Sequence, residues 1–179
     1  MIANNLQPYR NTRDDLPFQF LGVPTLLRAT ADTTNGAFGL IEHPMMPPGF
    51  GSPYHVHHRE DESFYVLQGR VAFVCGGKWL TAGPGDFVFG PRNVPHGFKV
   101  IGTMPAQMLV LVSPGGFERF TKDLSEPAGT PPSPPDITKL EAVAANYGVE
   151  ILGPLPEEAH RGGASVVQSV PPSSSGQIS

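Results

Sequence analysis

The sequence predicts an all-β domain with a short helical extension near its C-terminal end. Three observations predict it. Glycine and proline number 21 each, and they are spread along most of the chain, cutting it into short segments. Those segments are rich in β-branched and aromatic residues, and their regular spacing favours a sandwich or barrel over a parallel α/β sheet. No helical period is convincing before Phe117.

In order, the expected strands are Gln19–Leu21, Thr25–Ala29, Phe38–His43, Tyr54–His57, Glu62–Leu67, Val71–Cys75, Lys78–Thr81, Phe87–Phe89, Gly97–Ile101 and Gln107–Val112. The texture changes after "SPGG" at 113–116. "FERFTKDL" suits a short helix, and "SEPAGTPPSPP" a proline-rich linker that stays extended. In "DITKLEAVAANYG", Asp136 fits an N-cap and Gly148 a C-terminal stop. Ile137, Leu140, Val143, Ala144 and Tyr147 share one face, so this helix is built to pack on something. The division expected is an N-terminal extension (1–35) with strands available to a partner, a core (36–114), C-terminal helices with the linker (115–160), and a mobile tail (161–179) poor in bulky apolar residues.

Composition narrows the function. A length of 179 residues fits one domain with appendages, and a formal charge of −4 without large blocks lacks the basic footprint of a nucleic-acid binder. No apolar run reaches the ~18 residues needed to span a bilayer. The stretch "MIANNLQPYRNTRDD" has no apolar core of a secretory signal. The lone cysteine, Cys75 in "VAFVC", reads as a small buried hydrophobe. A cytoplasmic protein without nucleic-acid or membrane partners is therefore expected.

In a chain poor in charge, "HVHHREDE" (55–62) gathers three histidines and three carboxylates. His55 and His57 are two apart. On a strand they face the same way, about 6.6 Å apart, and two imidazoles can then converge on one ion. Such a pair alone also reads as an exposed polar edge. Glu62 begins the next strand and can return to the same cavity. His58 has the opposite parity and should point away, while Glu60 and Asp61 are expected to be solvated in the turn. A second segment, "GPGDFVFGPRNVPHGFKV" (83–100), ends a proline-closed turn on His96, and the rigid turn aims that side chain inward.

Together the segments read Gly49-x5-His55-x-His57-x4-Glu62-x6-Gly69 and, 15 residues on, Gly85-x5-Pro91-x-Asn93-x2-His96. This resembles the paired motifs of the cupin superfamily, over roughly residues 36–114. Asn93 stands where glycine is usual, and asparagine tolerates the left-handed conformation better than most residues. Val100 stands where the second motif usually ends in asparagine. The resemblance implies a small antiparallel β-barrel of jelly-roll type, with metal ligands at His55, His57, Glu62 and His96. It implies one divalent transition metal ion per chain (Fe, Mn, Ni, Co, Cu or Zn), with coordination positions left open for chemistry.

The expected substrate pocket comprises Met45, Phe64, Val66 and Phe98, with Met46 near the rim. Its apolar, aromatic lining around one charged centre suits a flat ligand bearing one metal-binding oxygen. "PGGFERF" with the linker and helix after it is similar to single-domain bacterial cupins of the quercetin 2,3-dioxygenase-like group. That resemblance implies a metal-dependent dioxygenase, with O2 and a flavonol-like or other enolizable aromatic as substrates and Glu62 as both ligand and general base. The alternatives are a metallo-cupin isomerase, lyase or hydrolase using the ion as Lewis acid, or a small-molecule binding protein without turnover. A homodimer is expected, because cupins of this type commonly pair through their sheets.

Overall fold

The computed structural model describes residues 6–12, 14–127 and 136–157. The expected tail and most of the proline-rich linker lie outside these residues. Among them the chain forms two antiparallel sheets. The first runs β11(Ser125–Glu126), β1(Phe18–Phe20), β2(Val23–Ala29), β3(Gly39–Met46), β10(Ala106–Ser113), β5(Asp61–Gln68), β8(Phe87–Gly90). The second runs β12(Val149–Gly153), β4(Tyr54–His57), β9(His96–Ile101), β6(Arg70–Cys75), β7(Lys78–Ala82). Each expected strand has a counterpart, shifted by a few residues at its ends. The one-turn helix α1(Ala31–Thr34), β11 and β12 are additions. They are too short, or too plain in pattern, to stand out against flanking loops.

Inward-facing residues of both sheets share one apolar core. Phe64, Phe73 and Phe98 meet at its centre, with ring centroids 5.0–6.1 Å apart. Each such side chain contributes roughly 1.5–3 kcal/mol by leaving water. The N-terminal strands pair within the chain, β2 with β3 and β1 with both β2 and β11. Arg28 on β2 adds a bridge to Glu42 on β3 at 2.7 Å and to Asp15 at 2.8 Å.

Beyond β10 come α2(Glu118–Asp123) and α3(Ile137–Asn146). The Asp136 side chain caps α3 by accepting the Lys139 N–H at 3.1 Å, and Gly148 follows at φ +72°. Leu140 and Ala144 on α3 are buried in the same core, so the helix covers its own domain. Its stripe stops short of the full face read from the sequence, since Ile137 stays exposed. From Gly148 the chain enters β12, which lies beside β4 with Val149 opposite His57 and Ile151 opposite His55. The extension thus closes over the strand that carries two of the histidines.

Candidate metal centre

Strand alternation places His55 and His57 on the inner face of β4, and His55 pairs with His96 at the start of β9. Glu62, near the start of β5, reaches them from the other sheet. The turn before His96 depends on Asn93, which adopts φ +62°, the conformation that makes glycine usual there. Gly97 allows β9 to press against the segment before β4, since a Cβ there would lie 2.9 Å from the Pro53 carbonyl oxygen.

The ligand atoms of His55, His57, Glu62 and His96 lie within 4.8 Å of one another, and all four residues are buried. Each imidazole is held by its far nitrogen. Nδ1 of His55 donates to the Pro53 carbonyl at 2.8 Å and Nδ1 of His96 to the Val94 carbonyl at 2.8 Å. A carbonyl only accepts, so both rings carry a proton on Nδ1 and turn Nε2 inward, free to take either a metal ion or a second proton. Those nitrogens face Glu62 Oε2 at 3.6 Å from His55, 3.5 Å from His57 and 2.9 Å from His96. Among the described residues, Nε2 of His57 is buried without a hydrogen-bond partner. Three Nε2 atoms converging on one carboxylate oxygen repel unless protons or a cation sit among them, and His57 Nε2 has no such hydrogen bond, so the donor set fits a single divalent metal ion.

The electrostatics agree. Burial alone would raise the Glu62 pKa, but the charges and hydrogen bonds of the three histidines outweigh it and hold the carboxyl well below its usual value. Burial lowers His55, against the pull of Glu62. Burial also pushes His96 down, but its hydrogen bond to Glu62 prevails and the net shift is upward.

Of the neighbours in "HVHHREDE", His58 behaves as its parity suggests, while Asp61 opens β5 instead of lying in the turn and Glu60 is buried. His58 points away, its side chain 49% exposed, and Nδ1 approaches Asn93 Oδ1 at 3.0 Å. Asp61 is paired with Arg92 through both carboxylate oxygens, and that hydrogen bonding lowers its pKa to about 2. Glu60 is not solvated. It is only 4% exposed, and its Oε2 lies 3.4 Å from His57 Nδ1. Turns have no periodicity from which to read that direction. A carboxylate behind a ligating histidine fixes its ring and raises its basicity. Glu60→Gln is therefore expected to weaken metal affinity about 10-fold or more, and Asp61→Asn to leave it unchanged, as metal titration of the two variants would show.

A cavity opens onto the cluster through His55 and Glu62, and Phe98 is part of its wall. The other expected pocket residues lie elsewhere. Phe64 and Val66 point inward but are consumed by the core. Met45 is 56% exposed, because a bulge puts His43 opposite Met108 but Met46 opposite Ala106. The extra residue turns Met45 outward and buries Met46. Much of the remaining wall was not anticipated: Phe117 and Phe120 from the α2 region, Leu140 from α3, Val149 and Ile151 from β12, and His43 from β3. Phe117 also stands edge-on to His57, centroids 4.4 Å apart. The one available signal for His43 was its parity with the buried Ile41.

Two antiparallel sheets around a buried three-histidine, one-glutamate cluster define a class, a β-protein with a donor set suited to one metal ion. Residues 43–112, which include all four of these side chains, match the family described as Cupin domain. Over that segment the chain resembles the cupin superfamily. It is similar to quercetin 2,3-dioxygenase of Bacillus subtilis (strain 168), 31% identical over 99 residues that make up 55% of this chain and 29% of that one. It also matches an uncharacterized protein of Methanocaldococcus jannaschii, 28% identical over 65 residues, 36% of this chain and 52% of the other. The chain thus spans less than a third of the first relative and about half of the second. Among solved structures it is similar in fold to KdgF from Halomonas sp., with TM-score 0.52 and 21% identity over 62% of this chain and 94% of that one.

Proposed function

We propose that the protein is a metal-dependent dioxygenase that opens a flavonol-like or other enolizable aromatic substrate with O2. In this reading the two sheets are the halves of a jelly-roll barrel with the centre in its mouth. The observation that carries the proposal is the double position of Glu62, at the meeting point of three imidazole nitrogens and in the wall of an apolar cavity. The partial likeness to a quercetin 2,3-dioxygenase supports it.

His55, His57, Glu62 and His96 would hold a divalent ion, which would supply a Lewis-acidic centre for the substrate oxygen. Glu62 acts as general base. The substrate O–H breaks, its electron pair stays on the oxygen, and the proton passes to the carboxylate. Phe98, Phe117 and Phe120 hold the aromatic body and exclude water, which strengthens the charge interactions at the site. Both atoms of O2 end in the ring-opened product.

The test is a substrate screen on protein purified without added metal or chelator, after metal analysis, with and without oxygen. Oxygen uptake matched to substrate loss is the expected result. Product formed equally under nitrogen would replace this reading by Lewis-acid chemistry.

We also propose a cytoplasmic homodimer formed through the outer face of the first sheet. Phe87 and Phe89 on β8 are 62% and 53% exposed. Tyr65 pairs with Phe87, and Ser63 lies between Phe89 and Leu111, so the apolar residues form one surface. Such a contiguous surface on a soluble protein marks a contact site. Sedimentation equilibrium at micromolar concentration should give a dimer, and Phe87→Lys a monomer.

A further inference from the structure

The cavity has few polar side chains outside the metal cluster. Ser52 Oγ accepts the Phe98 N–H at 3.1 Å, and the Thr121 hydroxyl donates to the Glu118 carbonyl at 2.7 Å, so both are engaged by backbone. His43 remains. It is 6% exposed and lines the cavity, from a strand that carries none of the metal ligands.

Its ring is oriented from β2. Thr25, fully buried, has a single hydroxyl hydrogen, which it donates to the Val23 carbonyl at 3.3 Å. With the hydroxyl hydrogen on Val23, the oxygen accepts from His43 Nδ1–H, 3.1 Å away. That tautomer leaves a lone pair on Nε2. Burial also keeps the imidazole neutral, lowering its pKa to about 4 against the raising influence of Glu62, Glu42 and the Pro24 carbonyl.

Register sets the span. Val112 pairs with both Gly39 and Glu62, whereas Met108 pairs with both His43 and Val66. His43 therefore lies about 13 Å from the level of Glu62 along the strand direction. Between these levels, Ile41 and Val110 pair with each other and form an apolar cavity floor. The site is polar at two ends and apolar between.

We propose that His43 is a second recognition pole of the cavity, accepting at Nε2 a hydrogen bond from a hydroxyl at the far end of an elongated ligand whose near end faces the metal ligands. This rests on reading the cavity as the ligand site of the metal centre. It narrows the substrate class to flat aromatics with a chelating or enolic oxygen at one end and a phenol or alcohol at the other. A ligand without the distal hydroxyl leaves a buried acceptor unsatisfied, and the site discriminates against it.

The test compares 3-hydroxyflavone, which has only the proximal pair of oxygens, with 3,4′-dihydroxyflavone, which adds a distal phenol. Binding to the zinc-loaded full chain is measured by calorimetry under nitrogen, so no turnover intervenes. The wild type should bind the dihydroxy probe about 3- to 10-fold tighter, the range of one neutral hydrogen bond. His43→Leu should abolish that preference, and His43→Gln, which keeps an acceptor, should restore part of it. If thermal melting shows that His43→Leu does not fold, Thr25→Val, which removes the acceptor fixing the tautomer, should reduce the preference.

No preference in the wild type, or an undiminished one in the folded variants, overturns the proposal. Equal binding of both probes that still requires zinc removes the His43 pole alone. Binding that is indifferent to zinc removes the metal-centred reading of the cavity instead, and no binding of either probe removes both.

Discussion

Glu62→Gln is expected to retain part of the metal and to lose turnover by ~10²-fold or more, the usual contribution of a positioned general base. Glutamine keeps the shape of the side chain and one oxygen. It removes the negative charge that would balance a bound ion and the only carboxylate among the described residues of the cavity wall. Three histidines still point Nε2 toward the same spot, held there by their Nδ1 contacts to Pro53, Glu60 and Val94, so a weakened site survives. The amide can also donate to those lone pairs, so the folded protein should not suffer. The readout is metal content and rate together, on whatever substrate the screen returns. Full activity in Glu62→Gln would take the base out of the mechanism and leave the ion as sole catalyst.

His57→Ala is expected to strip most of the metal and to lower thermal stability. His57 is fully buried, its Nε2 has no hydrogen-bond partner among the described residues, and its ring packs edge-on against Phe117. Truncation removes a ligand and opens a void under α2. The two losses separate in a metal titration. Ion bound only by the folded state raises the melting temperature with concentration, by about RT ln(1 + [M]/Kd). The wild type should show that rise and His57→Ala should not, while the void lowers the variant's melting point at every concentration. His58→Ala, one residue on but 49% exposed, should stay within about 0.5 kcal/mol of wild type. An empty site in His58→Ala with a filled one in His57→Ala would reverse the assignment.

The contrast between these adjacent histidines was legible in the sequence, because a strand has a period of two and His55, His57 and His58 sit on one short strand and its end. The turn at Asn93 was legible for a similar local reason, since few residues other than glycine accept φ near +62°. Glu60 was not. It lies where the chain reverses, and only the fold shows that its carboxylate turns back to His57. Met45 was misplaced by a bulge, which shifts parity by one and leaves no mark in the hydrophobic pattern.

What the sequence by itself determined, then, is what depends on neighbours along the chain: the strands, most of the turns, and the shared face of His55 and His57, while the full donor set came from the resemblance of two spaced motifs. Tertiary structure alone decided what the cavity is. Phe64 and Val66 face inward as alternation requires, yet they are spent on the core, and the wall is made by Phe117, Phe120, Leu140, Val149 and Ile151 instead. The apolar stripe of α3 announced that the helix would cover something, but not that it would bring β12 to the edge of β4. That placement depends on contacts between segments far apart in the chain, and the strength of such contacts comes from the shape and burial of both partners at once. No local pattern carries that information.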